Sequence, residues 1–260
     1  MAYEFIKYRK EGRIAYVTID RNERLNALHP PANSEMQDAF ADFRDDPEVW
    51  VAILTGTGER AFSAGNDLKY AAEHSNRQGP LTVGAPFGGI VHSFTCWKPI
   101  IAAVNGYALG GGFELAMACD IILAADHAQF GLPEPRVGLV AAPSAVHLFP
   151  RHVPIKLAMG LMLTGRQMSA EEALRVNLVN ETMPLADLMP TAERWAAEIM
   201  EGAPLAIRAT KQMAMSGLDW PMEIANSRNY SEHQRAMASA DRIEGPKAFS
   251  EKRKPNWTGM

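Results

Sequence analysis

The sequence predicts an α/β fold: a spiral of repeated strand-strand-helix turns, followed by a helical C-terminal region. Three observations predict it. Apolar segments with the length of strands buried on both faces recur at 49–56, 100–104 and 121–125. Each leads through a glycine turn to a second small-residue turn, and then to a segment that can form a helix. From Pro184 onward the chain is Met-rich and patterned as amphipathic helices. Three stacked turns, each covering the next, are the logic of a repeat architecture.

In order, residues 3–10 and 13–20 read as a hairpin joined at Glu11-Gly12, with Ile14, Tyr16 and Thr18 alternating against Ala15, Val17 and Ile19. After a polar turn and Asn26-Ala27-Leu28, Pro30 and Pro31 introduce a helix from about Ser34 to Arg44. Its Met36, Phe40 and Phe43 have the spacing of a core stripe. The strand at 49–56 leads into Ala61-Phe-Ser-Ala-Gly-Asn-Asp-Leu-Lys69. Segment 71–90, rich in Gly, Pro, Ser and Asn, reads as a lid, pocket wall or insert. The second turn follows at 100–104, with a tight turn at Asn105-Gly106 and a helix opened by Gly110, Gly111 and Gly112. The third is 121–125, then Ala128-Gln-Phe-Gly-Leu-Pro-Glu134, then a helix from Pro143. Ser169-Ala-Glu-Glu172 is a capping box that starts a helix to about Arg175. Leu185, Leu188, Trp195 and Ile199 mark a further helix, 205–215 another and 222–238 a third. Their apolar faces need either the spiral or another subunit to cover them.

The 260 residues are 47% hydrophobic, enough for one sizeable core. With 26 basic and 30 acidic residues the formal charge is −4, which excludes bulk attraction to nucleic acid or an anionic membrane and points to a small partner. Cys96 and Cys119 fit neither a disulfide framework nor a zinc spacing and read as reduced core residues. No apolar run approaches the ~20 residues of a membrane span, and the early charges do not resemble a signal peptide. A soluble, cytoplasmic protein is expected.

The chemistry concentrates around the second turn. Glycines 110 to 112 let backbone N–H groups approach a ligand, and a helix start leaves such donors unpaired. Ala64-Gly65-Asn66-Asp67 offers a similar glycine-flanked start in the first turn. Donors from both, if adjacent, would grip one carbonyl oxygen and stabilise charge developing on it. Glu114 follows the glycines among Phe113, Leu115, Ala116, Met117, Ala118 and Cys119; a Glu there can serve the helix dipole, but apolar surroundings favour catalysis. Glu134, between Pro133 and Pro135, is a second candidate, or else an exposed loop residue. Two carboxyl groups in a partly apolar pocket gain proton affinity and suit acid and base roles near neutrality. No GxGxxG after a strand, no GxxxxGK[ST], no GxSxG at Ser63 or Ser144 and no HExxH is present. His147 and His152 read as loop or helix-face residues.

Six ordered segments resemble the crotonase (enoyl-CoA hydratase/isomerase) superfamily over nearly the whole length. They are Asn26-Ala-Leu28, Ala61-Phe-Ser-Ala-Gly-Asn-Asp-Leu68, Lys98-Pro-Ile-Ile-Ala-Ala-Val-Asn-Gly106, Gly110-Gly-Gly-Phe-Glu-Leu-Ala-Met-Ala-Cys-Asp120, Ala128-Gln-Phe-Gly-Leu-Pro-Glu134 and Leu163-Thr-Gly165. The resemblance implies a crotonase-like spiral over 1–195 carrying the active site, and a helical trimerisation region over 196–260, in a homotrimer or dimer of trimers. It implies an acyl-CoA thioester substrate, with coenzyme A entering as part of it and no separate cofactor or metal. The thioester carbonyl would be held by the N–H groups of Asn66 and Gly111. Ala64, Asp67, Leu68 and Lys69 match the strip along the CoA moiety, and Phe249 and Lys252 match positions that touch CoA, often across a subunit boundary.

The hydratases of the superfamily are similar to this chain in carrying both glutamates. Carried over, Glu114 would activate the water adding to the β carbon and Glu134 would exchange the proton at the α carbon. The stretch 244–257 is also similar to dehydratases of the carnitinyl-CoA type. One departure is present: where hydratases usually have Pro-Gly-x-Gly-Gly, this chain has Ala141-Ala-Pro-Ser-Ala145, expected to narrow and stiffen that wall. The resemblance thus implies a hydratase or dehydratase. Isomerisation or other enolate chemistry, and a CoA-ester-binding scaffold without turnover, are the alternatives.

Overall fold

The expected hairpin is formed by β1 (Ile6–Glu11) and β2 (Ile14–Ile19), antiparallel, with Gly12 in the left-handed region at φ +57°. The structure, a computed structural model, describes residues 3–74, 86–92 and 94–260. The span 75–85 of the expected lid or insert lies outside the described residues.

Helix α1 (Pro30–Asp45) starts at Pro30, earlier than the expected Ser34, because proline's fixed φ suits the first helical position. Met36, Phe40 and Phe43 are fully buried, as their spacing requires. The far end of α1 is capped by the buried Lys98, whose Nζ donates to the carbonyls of Phe43 (2.6 Å) and Asp46 (2.5 Å). Burial, helped by the charge of Arg208, pulls the Lys98 amine down to about 8.

The spiral follows in three turns. The first is β3 (Val51–Gly56), β4 (Ala61–Ser63) and α2 (Leu68–His74). The second is β5 (Ile100–Val104), β6 (Tyr107–Leu109) and α3 (Gly111–Met117). The third is β7 (Ile121–Ala125), β8 (Gln129–Gly131), a 3-10 turn at Glu134–Val137 and α4 (Pro143–His152). Then come α5 (Ile155–Thr164), β9 (Met168–Ser169), α6 (Ala170–Arg175), β10 (Glu181–Met183) and α7 (Leu185–Met200). The capping box expected at α6 is present, with Ser169 and Glu172 satisfying each other's backbone N–H groups.

Each turn sends its first strand to one sheet and its second to another. The larger sheet has the order β1-β2-β3-β5-β7-β10 and the smaller β4-β6-β8-β9. From β2 to β10 the larger sheet is parallel. Its strands alternate between two cores: Ala52, Leu54, Ala102, Val104, Ile122 and Ala124 face the spiral interior, whereas Val51, Ile53, Ile101, Ala103, Leu123 and Ala125 face outward. Leu188, Ala192 and Ala196 of α7 cover that outer face, which is why the strands read as continuous apolar runs. Helix α7 runs through residue 195, so the boundary expected between 195 and 196 falls inside one helix.

The C-terminal region is α8 (Pro204–Gly217), α9 (Met222–Ser227), α10 (Ser231–Ala238) and α11 (Asp241–Ser250). The single helix expected over 222–238 is therefore broken, and α11 was not anticipated. The break is fixed by α8: Gln212 accepts the Glu232 N–H at 2.8 Å and donates to Ser231 Oγ at 3.0 Å, satisfying the start of α10 from outside. Tyr230, 8% exposed, tucks into the break with its hydroxyl on the Ala225 carbonyl.

Asn105 Nδ2 ties the second turn to the first by donating to the carbonyls of Gly56 (2.9 Å) and Gly58 (2.7 Å). Asn26 Nδ2 does the same for Thr57 (3.0 Å) and Ala61 (2.7 Å). The buried Arg21 bonds the Ala27 carbonyl and pairs with Asp67 at 2.9 Å, their side chains 9% and 6% exposed. Removing one member of a buried pair strands the other charge, at a cost of ~3–5 kcal/mol. Arg21→Met is therefore expected to lower the unfolding free energy by about that amount in denaturant titration; a change under ~1 kcal/mol would contradict this role for the pair.

Candidate active site

Two turns of the spiral meet at Gly65. Its φ is +88°, and a Cβ there would lie 2.7 Å from the Leu109 carbonyl oxygen and 2.8 Å from the Gly111 nitrogen. Only glycine permits that approach. Gly112 is constrained similarly, since a Cβ would stand 2.0 Å from the Ser63 carbonyl oxygen. The backbones that carry Asn66 and Gly111 are thereby brought side by side.

Both residues present unused donors. Asn66 forms a parallel bridge with Leu28, in which the Leu28 N–H bonds the Gly65 carbonyl (2.8 Å) and the Asp67 N–H bonds the Leu28 carbonyl (2.9 Å). That pattern turns the N–H of Asn66 itself away from the bridge. Gly111 is the first residue of α3, where helix geometry leaves the N–H without an intrahelical acceptor. Among the described residues neither N–H has an acceptor. The arrangement is what a carbonyl oxygen acquiring negative charge requires.

Glu114 lies one turn along α3 and is only 4% exposed. Its Oε1 accepts the Ala142 N–H at 3.2 Å and its Oε2 accepts the Ser144 hydroxyl at 3.0 Å. Burial pushes its carboxyl above the usual range; the bonds from Ser144 and Ala142, and the nearby His92, pull it partly back. Glu134 opens the 3-10 turn, half-buried rather than exposed. Its Oε1 lies 2.9 Å from where a Cβ on Gly110 would stand, so it packs against the glycine run that leads to Gly111. Its Oε2 is buried without a hydrogen-bond partner among the described residues. Burial raises its proton affinity, its own backbone N–H lowers it, and the charge of Glu114 raises it again. Arg136, two residues on, gives no relief, because its Nε donates to the Thr164 carbonyl at 2.9 Å.

The two carboxyl groups thus differ in kind. Glu114 has both oxygens bonded by fixed donors, which favour the charged form; Glu134 has an orphaned oxygen and a like charge nearby, which favour the protonated form. One carboxyl group with both oxygens bonded and one with an orphaned oxygen thus lie near the glycine run that leads to Gly111.

The remaining expected site residues divide. Ala64, half-buried, donates its N–H to the Leu25 carbonyl at 3.0 Å. Leu68, 44% exposed, and the exposed Lys69 open α2 two residues after Asn66. The Asp67 side chain instead points inward, with Oδ2 on Arg21 and Oδ1 accepting the Tyr70 N–H at 3.0 Å. Burial would raise its carboxyl, yet these bonds hold it below the usual range. Phe249, 86% exposed, and Lys252, left-handed at φ +54°, sit at the end of α11, which packs against α10. Neither has a described hydrogen bond or ring contact to the Asn66–Gly111 segments. The exposed His147 and His152 lie on the α4 surface. Cys96 and Cys119 are free and buried. Among the described residues no group of three His, Cys, Asp or Glu could hold a metal ion, and no helix is long and apolar enough to cross a membrane.

Residue-level reading missed the bonds that Ala142 and Ser144 make to Glu114. The segment was read as a stiffened wall; it also supplies the carboxylate's two donors. The available signal was a hydroxyl in place of glycine at a helix start.

Residues 9–260 match the family described as Enoyl-CoA hydratase/isomerase. Carnitinyl-CoA dehydratase of Escherichia coli K12 is 43% identical, the match covering 98% of this chain and 99% of that protein. The crystal structure of an enoyl-CoA hydratase from Mycobacterium marinum superposes with TM-score 0.89 at 35% identity, covering 98% of this chain and 99% of the other. An enoyl-CoA hydratase from Bacillus anthracis gives 0.92 at 31% identity, covering 99% and 100%. A family match over nearly the full length, and relatives well above 30% identity, make this chain a member of the enoyl-CoA hydratase/isomerase family, with the crotonase fold.

Proposed function

We propose that the chain is a hydro-lyase that adds water to, or removes it from, the 2,3 position of an acyl-CoA thioester. The observation that carries this reading is the unequal pair of carboxyl groups, Glu114 bonded at both oxygens and Glu134 with a buried orphan, close to two backbone segments whose N–H groups at Asn66 and Gly111 have no described acceptor. In the hydration direction, Glu114 accepts a proton from water as the oxygen bonds to the β carbon. The double-bond electrons move onto the thioester oxygen, where the N–H groups of Asn66 and Gly111 stabilise the enolate. Collapse of the enolate draws the Glu134 proton onto the α carbon, so one water is added. Dehydration reverses each step: Glu134 takes the α proton and Glu114 protonates the departing hydroxyl.

The dehydration direction, on a β-hydroxyacyl-CoA related to that of carnitinyl-CoA dehydratase, is favoured by the 43% identity to that enzyme. Leu68 and Lys69 flank the CoA moiety in this reading, and the inward-turned Asp67 contributes through its backbone. Coenzyme A arrives as part of the substrate, with no separate cofactor. A homotrimer or dimer of trimers in the cytoplasm completes the proposal, supported by exposed apolar side chains at Leu218, Trp220, Met222, Ile243 and Phe249 that a single chain leaves uncovered; CoA contacts by Phe249 and Lys252 would then come from across a subunit boundary.

Mixing the protein with a short 2-enoyl-CoA is expected to bleach the conjugated thioester absorbance. Glu114→Gln and Glu134→Gln should each lower kcat by ~10²–10⁴-fold while the ester still binds, since each removes one proton transfer. Turnover at the wild-type rate by either variant would refute its assigned role.

The pH profile follows from the shifts. Both carboxyl groups are raised above the usual range, and hydration needs Glu114 ionised and Glu134 protonated. The kcat/KM profile for hydration should therefore be bell-shaped, with activity lost on the acid side as Glu114 takes up a proton and on the alkaline side as Glu134 loses one. The two midpoints belong to the coupled pair. A profile flat across both limbs would contradict the division of roles.

A further inference from the structure

Residues 141–145, which read Ala-Ala-Pro-Ser-Ala, lead into α4 against Glu114. The bond from the Ala142 N–H to Glu114 is open to almost any residue; the bond from Ser144 to Oε2 needs a side-chain hydroxyl. The hydroxyl is well placed, because Ala145 and Phe149 of α4 are buried and Phe149 meets Phe113 of α3 edge-on, ring centroids 5.2 Å apart. Helices α3 and α4 are thus packed together through the core next to the Ser144–Glu114 bond.

We infer that Ser144 is a positioning residue for Glu114: its hydroxyl fixes the carboxyl's orientation and holds it in the charged form, assigning proton acceptance to Glu114 and proton donation to Glu134. The inference deepens the hydro-lyase reading of the same site and rests on it for its kinetic consequence. The titratable groups that face Glu114 are Glu134, from the turn after β8, and the exposed His92, from the segment before β5. On α4, His147 is exposed, Arg151 donates to the His147 carbonyl and His152 contacts the Leu148 carbonyl, so none of the three bonds Glu114. Ser144 and the Ala142 N–H are the only described hydrogen-bond partners of its carboxyl group.

The test observes Glu114 without requiring turnover. Protein labelled with ¹³C in its glutamate carboxyl groups is titrated by NMR, and Glu114→Gln identifies the resonance. Ser144→Ala is expected to raise the Glu114 midpoint by about one pH unit, a tenfold loss of carboxylate at a pH below it, or ~1.4 kcal/mol. Ser144→Gly, which also removes the hydroxyl, should give the same rise, and Ser144→Thr, which keeps the hydroxyl, should return the midpoint towards wild type. In turnover, the acid limb of kcat/KM should move upward with the midpoint while KM changes little, and the Thr variant should rescue it. An unmoved Glu114 midpoint in Ser144→Ala overturns the inference. A moved midpoint in a wild-type protein that turns over no CoA ester supports the hold on Glu114 and refutes the hydro-lyase reading instead.

Discussion

The constraint on which the site depends is the approach of one backbone to another at Gly65. A methyl group there would fall within van der Waals distance of Leu109 and Gly111 at once. Because the position is glycine, the first and second turns of the spiral approach each other beside Asn66 and Gly111, whose N–H groups have no described acceptor. Everything around the pair stiffens it. Asn26 and Asn105 bind the intervening turns to each other, Ser63 accepts the Gly65 N–H, and the buried Arg21–Asp67 pair anchors the start of α2 immediately after Asn66. Preorganised donors of this kind need no reorganisation when charge develops.

The carboxyl groups add direction to that site. Apolar packing around α3 would by itself push both towards the protonated form, which would leave a proton donor and no acceptor. The third turn separates them. It brings Glu134 in on a proline-flanked 3-10 turn with one oxygen unsatisfied, and it brings the start of α4 against both oxygens of Glu114. The proposed chemistry therefore draws on all three turns: N–H groups from the first and second, an acceptor on the second, and a proton donor from the third. Its four residues, Asn66, Gly111, Glu114 and Glu134, span 69 positions of sequence.

Much of this was legible before any coordinates. The strands at 100–104 and 121–125 carry apolar residues at every position because the sheet is covered on both faces, and that is readable from composition. Gly110 to Gly112 followed by a lone Glu in an apolar helix point to a candidate site from the sequence alone, and the structure buries that Glu. Where reading failed, the missing information was tertiary. The 222–238 stretch has helical periodicity throughout, and only Gln212, far back in the chain, shows why it breaks before Ser231. Asp67 matched a CoA-contacting strip by position, but Arg21 turns its side chain into the core. Ser144 lies thirty residues from Glu114, beyond any local pattern.

The central claim is that Asn66 and Gly111 polarise a thioester carbonyl. It is tested most directly by binding a short 2-enoyl-CoA, ¹³C-labelled at the thioester carbon, to the Glu134→Gln protein, in which turnover is slowed. The account predicts a downfield displacement of the bound carbonyl resonance and a red shift of the conjugated absorbance, both saturating with binding. A fully bound ester whose carbonyl resonance and absorbance match those in water would contradict it.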